Sequence, residues 1–456
     1  MYKTINNAVF MLALSLLSLS FCNDNIDLLK ILNMGLESLS NVHPSFAQSI
    51  PLTESLRSDF FKNMMGFEEN QLINWHKGND ENYNKFFLNK NLIEQRNING
   101  KPQFIIHSIT GKEYQAGFFT NPTIITLREQ AAKLEQVGNG TFNIVIGLDT
   151  KLNSSHRHTV DIGLLQANPD NIDAVFQVAS NFSALEPTGI SHYPEGGITG
   201  YIYDYTQGPF ASISAAPGLF YRMYGIFYDP TKPPTDWRQT KEHQIELLGG
   251  TSKYPRLKEV FPVTNGYVNY LYNPESLNLL FTEKDYEEIR IGYHRDIQVL
   301  YGFTNGDKQY DIKDKQQVIN QVFTAAIDFG SLNASSQNNP IVIKRAQALL
   351  DAAYEGTFLA AATNKKKKVF LTLIGGGVFG NDISWIANAM VKNKNFIKDY
   401  GLDVTLIVYD YSKVKHSNQA KSLNEFKKVI RELIEFTGGT VIINGEKKNL
   451  QAIEKL

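Results

Sequence analysis

From residue 102 onward, short apolar runs alternate with longer amphipathic stretches. Positions 104–108 and 143–147 read as strands around a helical pattern over 126–136. Further runs follow at 174–179, 211–224, 289–301, 319–327, 342–361, 369–374 and 404–409. Neighbouring parallel strands need a crossover of roughly a dozen residues or more, so this alternation predicts a mixed or parallel sheet flanked by helices. Residues 23 to 100 are polar and mixed, with a helical pattern over 54–65, and carry no evident chemistry. The stretch 231–272 is rich in Pro, Lys and Tyr and reads as a surface insertion or lid, extending to about residue 285. Lys365 to Lys368 read as a solvated loop before a strand.

The chain opens with Lys3, an apolar stretch from Ala8 to Phe21, then Cys22 and the polar run Asn23, Asp24, Asn25. That pattern predicts a signal peptide over 1–22 and a secreted product, since the stretch is shorter than a membrane-spanning helix requires. Phe21 argues against lipidation of Cys22. A formal net charge of −1 gives no basic surface for nucleic acid, and a single cysteine excludes a disulfide framework or a thiolate metal site. His156 and His158 lack further ligands at metal-binding spacing, so no metal and no cofactor is expected. Stable membrane insertion is not expected either.

The candidate chemistry begins where the run 369–374 empties into Gly375, Gly376, Gly377, Val378, Phe379, Gly380 and Asn381. Glycines let the backbone turn at positive φ, and free N–H groups at the start of the following helix, 382–390, would point at an anion. Gly375, Gly377 and Gly380 satisfy G-x-G-x-x-G, and Asp410 after the next run offers a ribose ligand. A dinucleotide fold and a nicotinamide-dependent oxidoreductase are therefore an alternative. The motif falls within the last fifth of the chain, however, leaving too little sequence for a full dinucleotide-binding half.

A second glycine-bearing stretch changes the balance. The strand-like segment from Asp173 to Asn181 is followed by Gly196, Gly197 and Gly200, and two loops can clamp one diphosphate. Here the sequence resembles the macrodomains, three-layer α/β/α folds that bind ADP-ribose. The resemblance is to a divergent bacterial subgroup, and it rests on Gln-Val-Ala-Ser-Asn181, Pro194-Glu-Gly-Gly197, Tyr203-Asp-Tyr-Thr-Gln-Gly-Pro209, Ile289-Arg-Ile-Gly292 with Asp296, Ala352-Ala-Tyr-Glu-Gly-Thr357 and the loop 375–381 with Trp385. That subgroup includes secreted effectors that remove ADP-ribose from arginine on host proteins. The resemblance implies a macrodomain-like domain over 101–456 with a mixed sheet and insertions, preceded by a mainly helical extension over 23–100. It also implies that Asp161 and Ile162 meet adenine, that Asn181 meets the distal ribose, and that Gly196 and Gly197 form one diphosphate loop and residues 375–381 the other. Three departures leave turnover open: the strand ends Ala-Ser-Asn, the first loop has two adjacent glycines rather than three, and Phe210 replaces a smaller residue.

Cleaving an N-glycosidic bond to arginine passes through an oxocarbenium-like state, so a carboxylate must activate water or stabilise the cation. Asp296, within a matched motif before an apolar strand, is the leading candidate. Asp307, Asp311 and Asp314 follow in a polar loop that would frame an acidic pocket for guanidinium, or simply lie in solvent. Glu186 and Glu355 read equally as catalytic groups or buried anchors, and Gln177 and Gln207 as amides orienting ribose hydroxyls. Tyr201, Tyr203 and Tyr205 stack on adenine or line a half-buried strand. The expected ligand is ADP-ribose or an ADP-ribosylated protein, bound by a hydrolase or by a non-catalytic reader.

Overall fold

The computed structural model describes residues 53–73, 92–148, 159–271, 273–303, 308–312, 317–409 and 422–454, all within the compact unit Ser45–Leu456. The expected signal peptide, Cys22, Asp307, Asp314 and Asp410 lie outside the described residues. Eleven strands form the main sheet: β1 (Ile93–Ile98), β2 (Lys101–His107), β3 (Glu113–Thr120), β4 (Thr141–Ile146), β5 (Val175–Ala179), β6 (Gly292–Gln298), β7 (Val318–Thr324), β8 (Lys368–Leu371), β9 (Asp403–Val408), β10 (Val441–Ile443) and β11 (Glu446–Lys448). Their order is β11-β10-β4-β9-β8-β5-β7-β6-β3-β2-β1. The strands from β10 to β7 in that order are parallel, while β6, β3, β2 and β1 continue antiparallel.

Strands in the parallel half read as unbroken apolar runs because both faces are covered. On one face Val175, Val322, Val369, Val404 and Leu406 join a core with helices α2 (Ile124–Ala131), α6 (Pro340–Thr363), α7 (Ile383–Lys392) and α8 (Leu423–Thr437). On the other, Phe176 and Phe370 stack with ring centroids 4.7 Å apart, and α4 (Gln207–Ser214) and α5 (Ala216–Tyr224) pack against β5, β6 and β3. The short helices α1 (Phe60–Met65) and α3 (Ile162–Ala167) complete the set used below. This is the three-layer mixed α/β arrangement that the sequence predicts.

Local departures have local causes. The run 211–224 splits into α4 and α5 at Ala215, and Pro217 opens α5, where its missing N–H costs no helical hydrogen bond. The pattern over 54–65 is α-helical only in α1, because Thr53–Leu56 pairs instead with Lys308–Asp311 and Arg57–Asp59 forms a 3₁₀ turn, and Gly66 at φ 84° ends the helix. The position-100 boundary falls within a hairpin: Asn99 and Gly100, at φ 52° and 77°, form the tight turn between β1 and β2. That Asn-Gly pair was a readable hairpin signal.

Candidate functional site

Two neighbouring parallel strands, β5 and β8, send the chain to opposite faces of the sheet. The chain leaves β5 towards α4 and α5, whereas it leaves β8 through α7 towards β9 on the other face. Such a switch point opens a crevice beyond the carboxyl ends of the strands, where ligands of α/β sheets bind. The loop after β5 carries Asn181, and the loop after β8 is the glycine stretch 375–381.

That glycine loop is rigidly braced. Gly375 and Gly380 stand at φ 72° and 66°. The Asn381 N–H donates to Gly375 O at 2.9 Å, the buried Asn381 Nδ2 donates to Ile327 O at 2.8 Å, and Gly330 N–H donates to Phe379 O at 3.2 Å. The loop after β7 thus holds the loop after β8 in place. No acceptor for the N–H groups of Gly377, Val378 and Phe379 is present among the described residues, and Val378 is 76% exposed at the tip. At the start of α7, Asp382 accepts from Ser384 N at 2.8 Å, while the Ile383 N–H has no acceptor among the described residues.

Across the crevice, Asn181 is buried, and beyond the neighbouring Tyr267 hydroxyl its Nδ2 meets no hydrogen-bond acceptor among the described residues. A buried donor left unsatisfied costs about 1–3 kcal/mol, so a position like this one calls for a ligand or water. Thr324 Oγ1, at the carboxyl end of β7, is also buried, and unpaired. The insertion contributes a wall: Phe182 N–H donates to Gly266 O, and the Tyr267 ring stands 5.8 Å from that of Phe379. Burial holds the Tyr267 phenol above its ordinary range, opposed by the amide of Asn181 beside it.

The other expected residues have different surroundings. Gln177 is fully buried and donates to Thr357 Oγ1 at 3.1 Å, tying β5 to α6. Gln207 accepts from Ala179 N at 2.9 Å and donates to Gln177 O at 2.8 Å, anchoring α4 to β5. Both amides are used structurally. Asp161 caps α3, accepting from Gly163 N at 3.1 Å, and Gly163 O accepts from Ser214 Oγ at the C-terminal end of α4. Glu355 is an anchor, bound by Arg128 Nε at 2.5 Å and the Tyr286 hydroxyl at 2.6 Å.

Asp296 is not brought to the crevice. It lies in β6 at φ 58°, beside Asn320 near the amino end of β7, and accepts from Arg295 at 2.7 Å and Gln103 at 2.8 Å. Because β6 runs antiparallel to β7, its later residues point to the end of the sheet opposite Asn181.

The first glycine loop is occupied from within. Gly196 and Gly197 turn their N–H groups back to Tyr193 O and Pro194 O. The next amides, Ile198 N at 2.8 Å and Thr199 N at 2.6 Å, donate to the carboxylate of Glu69, which also receives the Thr199 and Tyr224 hydroxyls. Glu69 comes from the polar segment in which the sequence suggested no chemistry.

Glu186, from the same loop as Asn181, is buried, and apart from the neighbouring Ser212 hydroxyl its carboxyl oxygens meet no hydrogen-bond donor among the described residues. Arg222 stands 3.9 Å away, stacks 3.8 Å over Phe323 and shares His294 Nδ1 at 3.3 Å. Burial pushes the Glu186 carboxyl up to about 8 despite Arg222, while burial and then Arg222 hold His294 well below its ordinary value.

The sequence matches no family model and no curated protein. Similar solved structures include a poly(ADP-ribose) glycohydrolase from Deinococcus radiodurans in complex with ADP-ribose, 13% identical with a TM-score of 0.33, covering 69% of this chain and 95% of that one. Another is the poly(ADP-ribose) glycohydrolase from Thermomonospora curvata, 12% identical with a TM-score of 0.36, covering 71% and 93%.

Proposed function

We propose that this protein binds ADP-ribose in the crevice between the loops after β5 and β8. The carrying observation is the pairing of unused loop amides at Gly377, Val378 and Phe379 with the buried Asn181 amide, which meets only the Tyr267 hydroxyl, at a topological switch point. Backbone N–H groups suit a diphosphate, and a carboxamide suits ribose hydroxyls. Calorimetry with ADP-ribose tests the reading: Asn181→Ala is expected to weaken binding about tenfold, or about 1.4 kcal/mol. NAD binding more tightly than ADP-ribose would favour the oxidoreductase alternative instead.

On that site we place hydrolysis of ADP-ribosyl bonds, with arginine-linked ADP-ribose as the favoured substrate on the sequence resemblance. A non-catalytic reader is the second reading. It is favoured by the engagement of Asp296 and Glu355 in ion pairs, that of Asp296 at the opposite end of the sheet. Incubation with arginine-ADP-ribosylated protein and, separately, with ADP-ribose polymer distinguishes them: free ADP-ribose from the first, from the second, or from neither assigns the substrate or the reader. Export through the apolar stretch 8–21 belongs to the same proposal, and amino-terminal sequencing of protein from the culture medium checks it.

A further inference from the structure

The donors around Glu69 form a cradle of N–H and O–H dipoles, and no cation is ion-paired with this carboxylate among the described residues. Ile198 N lies 2.8 and 3.0 Å from its two oxygens, Thr199 N 2.6 Å from one, and the Tyr224 hydroxyl 2.5 Å from the other, with the Thr199 hydroxyl completing the shell. Successive backbone amides converging on one anion are the chemistry of a phosphate-binding nest, to which carboxylate and phosphate oxygens are interchangeable acceptors. The loop's outer side is open: Gly196 and Gly200 are exposed, with nothing within 4 Å of where a Cβ would stand. The anion inside it arrives from 129 residues earlier in the chain.

We propose that Glu69 is an internal stand-in for a ligand oxyanion, filling the first glycine loop so that the diphosphate of ADP-ribose engages that loop only when the Glu69 segment lets go. This rests on the ADP-ribose reading of the crevice. The segment is clasped at other points, through Arg57 to Ile202 O and Tyr301 to Phe60 O, so release of Glu69 does not require α1 to leave the domain. The affinity of such a protein is reduced by the fraction of molecules whose loop is open. A carboxylate serving only to anchor the segment would have no such effect.

Calorimetry with ADP-ribose on the full chain tests this with wild type, Glu69→Ala and Glu69→Gln. Glu69→Ala is expected to bind about tenfold more tightly than wild type, with Glu69→Gln between them because its amide oxygen still accepts from Ile198 and Thr199. Binding by Glu69→Ala alone supports the inference as well. Equal or weaker binding by folded Glu69→Ala overturns it and leaves the ADP-ribose reading standing, whereas no binding by any of the three proteins overturns both. Should Glu69→Ala fail to fold, amide exchange in the wild-type protein decides. Exchange over residues 66–73 must quicken at saturating ADP-ribose, and unchanged or slower exchange there overturns the inference.

Discussion

Glu186 shows how one buried group sets a pH limit. Its folded pKa of about 8 lies above the ordinary 4.5, so between those values the folded protein holds a proton that the unfolded chain has lost, and stability falls as pH rises. His294 acts in the opposite sense: held below 6.5, it stays neutral in the fold while the unfolded chain protonates, so stability falls as pH drops below 6.5. The His294 slope opposes that of Glu186 between pH 4.5 and 6.5; above 6.5 the Glu186 slope runs unopposed by His294 and is joined by that of Glu69, whose carboxyl is also raised by burial. Arg222, lowered to about 10, keeps its charge throughout. Urea titrations at pH 6.5 and 8.0 should show a loss about 2 kcal/mol larger in wild type than in Glu186→Gln, at about 1.4 kcal/mol per pH unit. The sequence displayed Glu186 before Pro187 but left its role undecided, because the partners Arg222 and His294 come from α5 and β6.

At the scale of elements, the two glycine loops contrast what a chain reveals locally with what it hides. The loop 375–381 was legible because its determinants are contiguous: an apolar strand, glycines, then the helix cap at Asp382. Gly375 is required twice over, since its φ is 72° and an added Cβ would stand 2.6 Å from both the Ala326 Cβ and Asn381 Nδ2. Gly375→Ala is therefore expected to cost about 2 kcal/mol in urea unfolding, through left-handed strain and overpacking. Gly377 has open space instead, so Gly377→Ala should leave stability within about 0.5 kcal/mol yet weaken ADP-ribose binding in calorimetry, because its methyl projects where the ligand is proposed to lie. The loop at Gly196 and Gly197 looked equivalent in sequence. Its closure by Glu69 was not legible, because no local pattern links an isolated glutamate to amides so far along the chain.

Over the whole molecule, strand direction decides which end of the sheet a residue reaches, and direction is the quantity that alternation of apolar and polar residues does not encode. The alternating runs gave the mixed sheet and its helical layers, yet an acidic residue followed by Ile297, Gln298, Val299 and Leu300 reads alike in a parallel or an antiparallel strand. In β6 the chain runs against β7, which carries Asp296 away from the carboxyl ends of β5 and β8, after which Asn181 and Gly377 stand. A substitution that preserves its backbone isolates this effect: asparagine tolerates the φ of 58° at least as well as aspartate and keeps a hydrogen-bond acceptor for Gln103. Asp296→Asn should weaken the pairings with Arg295, whose side chain is 15% exposed, and with Lys366 at 3.9 Å, at a cost of about 1 kcal/mol. ADP-ribose affinity should stay within about twofold of wild type, against the roughly tenfold loss for Asn181→Ala. A tenfold loss in Asp296→Asn, with an unchanged circular dichroism spectrum, would place the ligand at the opposite end of the sheet and displace the crevice at the β5/β8 switch point as the binding site.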